Sequence, residues 1–94
     1  DYLARPGGLP DGQLHPMVAC LNALSVDAAT LGNHEFNFGL PFLERSLKGA
    51  TFPFVLANVD RADGSAFLPK TAVIERTFVD ESGARQTLKI GLIG

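Results

Sequence analysis

The residues able to do chemistry gather in one short run, Gly32-Asn33-His34-Glu35, which follows the apolar stretch Ala28-Ala29-Thr30-Leu31. An asparagine side-chain carbonyl is a neutral oxygen ligand for a hard divalent cation. It leaves more of the ion's charge uncompensated than a carboxylate does. A histidine beside it, pointing elsewhere from the same turn, can give a proton to a leaving oxygen or stabilise charge on a phosphate. Two metal ions holding an attacking and a leaving oxygen are a known solution for phosphoester hydrolysis. Asn-His pairs also serve as plain solvated turns, so residue type and spacing leave both readings open.

The neighbouring candidates read as structural. Glu35 reads first as a tie to the loop's own backbone and second as a ligand or base. His15 stands before a helix and reads as its end cap. Cys20 reads as a core residue of that helix. Phe36 and Phe38, on either side of Asn37, read as core anchors for the loop rather than platforms for a base. Pro6-Gly7-Gly8 is not a phosphate loop, because it lacks the Lys-Ser/Thr ending and the preceding strand.

The elements that must position the loop follow from local signals. Residues 5–12 are rich in Pro and Gly and form a surface loop. His15-Pro16 opens a helix, since proline suits the first helical position, where its missing N–H is unpaired anyway. Met17, Leu21 and Leu24 lie four and three apart and predict its buried stripe, widened by Val18 and Cys20. Residues 28–31 fit a short buried strand ending at Leu31, with Asn33 and His34 in the turn that follows. A second helix is predicted from Leu40 to Leu47, closed by Lys48 in its last turn and Gly49 as its C-terminal glycine. Residues 54–59 are the next strand candidate, and the runs 72–79 and 88–93 are two more, joined by a hairpin loop at 80–85. This order predicts an α/β class, with helices packed on a mixed, partly parallel β-sheet. The loop would then lie beyond the carboxyl end of a strand, where open α/β sheets bind their ligands.

Bulk properties narrow the function classes. Ninety-four residues make at most one domain. An apolar fraction of 46%, with seven Phe, is that of a folded chain. Eight Lys+Arg stand against ten Asp+Glu with the signs interspersed, which argues against a nucleic-acid polymer or an anionic membrane as partner. No apolar run approaches the roughly 18 residues of a membrane helix, so no membrane insertion is expected. The single cysteine excludes an internal disulfide. A start at Asp1 and an end just after an apolar run predict a piece cut from something longer.

The run from Asp27 to Asn37, Asp-Ala-Ala-Thr-Leu-Gly-Asn-His-Glu-Phe-Asn, closely resembles the Gly-Asn-His-Glu block of calcineurin-like metallophosphoesterases. It resembles most narrowly the 5′-nucleotidase/cyclic-nucleotide phosphodiesterase superfamily. The resemblance continues through His15-Pro16 before Asn22, Phe52-Pro53, Ala57-Asn58-Val59 and the run from Leu88 to Gly94. It implies that residues 1–94 are an internal part of an N-terminal metallophosphoesterase domain, without the C-terminal domain that binds the nucleoside. It also implies two divalent metal ions as cofactors, Asn33 as a metal ligand and His34 as the catalytic group near the scissile phosphate. The implied substrates are nucleotides and the implied location is periplasmic or cell-surface.

Position 37 carries Asp in the 5′-nucleotidase branch, paired with that histidine, and here it is Asn37. An amide can orient the imidazole but cannot stabilise imidazolium by charge. Asn at this position favours the branch acting on 2′,3′-cyclic nucleotides and 3′-nucleotides. A 5′-nucleotidase or UDP-sugar hydrolase-like member, and a scaffold module that kept the fold without the chemistry, are the alternatives. The family's remaining ligands come from an Asp-x-His, a further Asp and a Gly-His-x-His. His15 and His34 are the only histidines, and neither has such neighbours. These residues alone are therefore not expected to catalyse.

Overall fold

A computed structural model describes residues 2–94. The chain divides into two compact units, one running up to Pro53 and the other spanning Phe54–Gly94.

In the first unit, helix α1 spans Pro16–Ala23. His15 caps it as expected: its ring Nδ1 accepts the backbone N–H of Met17 at 3.1 Å, satisfying one of the donors a helix start leaves open. Its other end closes through Ser25 in the left-handed region, φ 55°. Ser25 N–H donates to the Asn22 carbonyl, and Val26 N–H to that of Leu21. These paired bonds are the Schellman closure that glycine usually makes, here carried by serine.

The buried face of α1 differs from the predicted stripe. Val18 is buried, with Leu21 and Asn22 half-buried, while Met17 and Leu24 are 61% and 75% exposed and Cys20 is exposed. The face is set by Asn22. Its Nδ2 donates to the Gly49 carbonyl at 2.9 Å, and its Oδ1 accepts the Thr51 N–H at 2.9 Å and hydroxyl at 3.1 Å. Three bonds to a segment 27 to 29 residues away turn the helix so that the Asn22 side faces inward. Cys20, read as core from sequence, is corrected by that rotation.

Helix α2 spans Leu40–Leu47, the bounds read from the sequence. Leu43 and Ser46 form its buried side, and the Ser46 hydroxyl is paired by donating to the Phe42 carbonyl at 2.8 Å. Gly49 follows at φ 84°. That left-handed backbone is what favours glycine here. Residues 28–31, expected as a strand, are not one. Ala29 N–H bonds the Pro53 carbonyl at 3.0 Å, and no ladder develops. A strand needs neighbours along its whole length, and one bond does not make a ladder.

The second unit is built on an antiparallel hairpin, β1 (Thr71–Val79) and β2 (Arg85–Ile93), in register from Thr71↔Ile93 to Val79↔Arg85. One face carries Ala72, Ile74, Phe78, Leu88, Ile90 and Leu92, and the half-buried positions 72, 74, 90 and 92 all lie on it. The opposite face includes the Glu75–Lys89 pair at 3.2 Å and the Thr77–Thr87 hydroxyl bond at 3.1 Å. Val55, Leu56 and Phe67 are buried, in a stretch held by backbone bonds from Leu56 to Pro69 and from Ala57 to Gly94. Residues 54–59 are thus core without being a named strand. The α/β class stands, and the sheet among the described residues is purely antiparallel and two-stranded. The partly parallel sheet expected from the order of elements is not among the described strands.

The hairpin turn is organised by Asp80. Its Oδ1 accepts the Ser82 hydroxyl at 2.6 Å and the Ser82 and Ala84 N–H groups at 2.9 Å, while Oδ2 accepts the Gln86 amide at 2.8 Å. The Ser82 hydroxyl, then the Gln86 amide and the Ala84 N–H, hold this carboxyl at about 2, down from 3.8. A carboxylate whose folded-state pKa lies below its unfolded one stabilises fully above pH 3.8 and loses that contribution as pH falls toward 2. The Ala84 amide resonance should therefore move with a midpoint near 2 on acid titration, and the movement should vanish in Asp80→Asn. A flat Ala84 resonance through that window would mean that the carboxylate does not anchor the turn.

Candidate functional site

Asn33 and His34 lie in a single 3-10 turn, Asn33–Phe36, between residues 26–32, which form no helix or strand, and α2. Gly32 precedes it with extended backbone, ψ 175°. The Glu35 carboxylate folds back over Gly32, where a Cβ would meet its Oε2 at 2.8 Å. The turn ends through Asn37 N–H donating to the His34 carbonyl at 3.1 Å and Gly39 N–H to that of Phe36 at 3.0 Å. Gly39, at φ 83°, then redirects the chain into α2. The sequence expectation of a turn between Leu31 and Leu40 matches this arrangement. The segment before it is extended backbone rather than a finished strand.

The Asn33 and His34 side chains are both exposed. Among the described residues, the Asn33 amide has no hydrogen-bond partner. The His34 ring has one, the Asn37 Nδ2 at 3.2 Å from Nδ1. Its Nε2 is left free to meet a ligand. Phe36 is half-buried and Phe38 is 49% exposed. Phe38 does not enter the core as expected; it packs edge-on against Phe42 of α2, ring centroids 5.9 Å apart. That contact ties the far end of the loop to the helix. His15 also meets Phe42, at 6.3 Å, and takes no part in the loop.

The metal expectation can be tested on the donor set. Among the described residues no group of three or more His, Cys, Asp or Glu side chains comes together. The loop contributes one unpartnered neutral oxygen, from Asn33. That oxygen fits one position around a hard cation, which takes six or more ligands in all. These residues do not by themselves make a metal site. A cavity of about 310 Å³ lined by Leu14, Arg45 and Lys48, among others, includes neither Asn33 nor His34.

The chain is homologous to calcineurin-like phosphoesterases. It is 44% identical over 95 residues to the 2′,3′-cyclic-nucleotide 2′-phosphodiesterase/3′-nucleotidase of Salmonella typhimurium, covering all of this chain and 14% of that protein. It is 49% identical over 80 residues to the trifunctional nucleotide phosphoesterase protein YfkN of Bacillus subtilis, covering 85% of this chain and 6% of that protein. The crystal structure of the calcineurin-like phosphoesterase YfkN from Bacillus subtilis matches 86% of this chain and 24% of its own, with a TM-score of 0.78 and 47% identity. No family profile matches the chain. The chain thus spans 6–14% of the length of these curated relatives, which are hydrolases. Among the described residues no helix is long and apolar enough to cross a membrane.

Proposed function

We infer that this chain is the segment of a metal-dependent phosphoesterase that brings Asn33 to a metal ion and His34 to the reacting phosphate. The whole protein would hydrolyse 2′,3′-cyclic nucleotides and nucleoside 3′-phosphates, releasing nucleoside and phosphate. It would carry this segment within an N-terminal catalytic domain, in the periplasm or at the cell surface. The observation that supports this reading best is the 3-10 turn itself. It presents an unpartnered Asn33 amide and a His34 ring with Nε2 free, within a chain similar along its full length to a cyclic phosphodiesterase/3′-nucleotidase.

Two bound divalent ions would supply charge compensation and an activated oxygen nucleophile. Asn33 would hold one of them through its side-chain oxygen, and the remaining ligands would come from elsewhere in the whole protein. His34 would place Nε2 against a non-bridging or leaving oxygen of the substrate, where a hydrogen-bond donor lowers the energy of developing negative charge. The Gly32 and Gly39 backbones would let the chain enter and leave the turn that carries both side chains.

The test is phosphate release by the full-length protein from 2′,3′-cyclic AMP, 3′-AMP and 5′-AMP, before and after chelation. This reading expects turnover of the first two substrates, its loss on chelation and its return with Mn²⁺. Preference for 5′-AMP would move the protein to the 5′-nucleotidase branch, and no turnover of any substrate would leave the scaffold reading.

A further inference from the structure

A second group of charged side chains lies at the far end of α2. The turn carrying Asn33 and His34 precedes the helix, whereas Arg45, Lys48 and Gly49 stand at its other end, about 12 Å along its eight residues. There the helix end and the loop at residues 10–14 line the cavity of about 310 Å³. Leu14 lies over Gly49 and fastens the loop to the helix. Both segments belong to the first compact unit. Arg45 is half-buried, and its Nε is buried without a hydrogen-bond partner. Asp11 and Lys48 line the same cavity, and among the described residues no ion pair engages Asp11, Arg45 or Lys48.

We propose that this cavity binds a phosphate monoester of sugar size, with Arg45 and Lys48 on the phosphate and Asp11 on a hydroxyl of the sugar. A buried guanidinium N–H without an acceptor is costly, and an oxygen of an anion removes that cost. Arg and Lys together match the nearly two negative charges of a phosphate monoester better than the single charge of a carboxylate. Asp11 works against a bare anion, since its carboxylate and the negative end of α2 share the rim with the two cations. A carboxylate accepts sugar hydroxyls, however, so the residue that repels free phosphate favours a phosphate attached to a hydroxylated ring. The volume agrees. It lies at the lower end of the range for small-molecule pockets, roughly 300–1,000 Å³, and exceeds what a bare phosphate fills. The lining includes neither Asn33 nor His34, so the proposal does not depend on the chemistry assigned to the turn.

Calorimetric titration of the full-length protein with ribose 5-phosphate tests this, with inorganic phosphate and ribose as the other arms. Ribose 5-phosphate should bind more tightly than inorganic phosphate, and ribose alone should give no heat. Lys48→Gln should weaken ribose 5-phosphate about tenfold, the scale of a lost hydrogen bond to a charged group. Lys48 is exposed at the helix end, so that substitution leaves the fold standing, and a thermal melt checks it. Arg45→Gln should weaken the ligand at least as much. Asp11→Asn should move the two phosphates in opposite directions, inorganic phosphate tighter and ribose 5-phosphate weaker. Equal affinity for ribose 5-phosphate in the unchanged protein, Lys48→Gln and Arg45→Gln would overturn the proposal, because any binding would then lie elsewhere. Tightening of both ligands by Asp11→Asn would overturn it too, by removing the sugar contact. A crystal structure of the full-length protein with a carboxylate of its own chain on Arg45 Nε would do the same, since the orphan donor would already have its acceptor.

Discussion

Replacing His34 by alanine in the full-length protein should lower turnover of nucleoside 3′-phosphates by about 10²–10⁴-fold, the range for one positioned proton donor or acceptor. Metal content should stay near that of the unchanged protein. The imidazole spends its Nδ1 on Asn37, so it has only Nε2 for a ligand. Its removal takes away a hydrogen bond to the substrate and leaves the rest of the turn intact. The turn's closing bonds, from Asn37 to the His34 carbonyl and from Gly39 to Phe36, are backbone bonds that alanine keeps. Stability should therefore change little, and a circular dichroism melt on the same sample checks it. Turnover within threefold of the unchanged protein would remove His34 from the chemistry.

The isolated 94-residue chain should neither bind divalent metal tightly nor hydrolyse 2′,3′-cyclic AMP. Asn33 offers one neutral oxygen, and among the described residues no three carboxylate, imidazole or thiol groups converge. A single carbonyl competes poorly with the water shell of a hard cation. Without an activated nucleophile, the His34 donor has no reaction to assist. The hairpin adds a solution consequence: Val73, Phe78, Val79, Leu88 and Ile93 are between 49% and 81% exposed on two long strands with open edges. Such edges pair with other chains unless they are covered. Self-association at micromolar concentration is the expected result by sedimentation, with no heat of binding on titration with Mn²⁺ or Zn²⁺. Tight stoichiometric metal binding by a monomer would mean that ligands beyond those identified lie within these residues.

The sequence was most informative where the signals are local. Leu40, Leu43 and Leu47 with Gly49 after them delimit α2, and Asp80 with Gly83 marks the turn between β1 and β2. His15-Pro16 marks the start of α1 for the same reason: a cap and a first-turn proline act within three residues. The face of α1 was not legible. It is chosen by Asn22 bonding to Gly49 and Thr51, and an asparagine in a helix's last turn gives no hint of partners so far away. Residues 28–31 and 54–59 have strand composition but no strand. Composition reports burial, which Val55 and Leu56 have, whereas a ladder also needs a neighbour. At the site, the Gly-Asn-His-Glu run carries the resemblance on which the proposed chemistry rests. What the sequence could not supply was the Asn37–His34 contact, because that depends on the 3-10 turn bringing the two side chains together.

The claim that holds the account together is the division of labour within the turn: Asn33 serves a metal and His34 serves the phosphate. Metal content and turnover of full-length Asn33→Ala, measured across a Mn²⁺ titration, test it most directly. The account predicts a protein that loses metal on dialysis and regains a large part of its turnover of 3′-AMP at high Mn²⁺. His34→Ala, measured alongside, should keep its metal and regain nothing. Metal retained by Asn33→Ala as tightly as by the unchanged protein, at any level of activity, would contradict the assignment of Asn33 as a ligand.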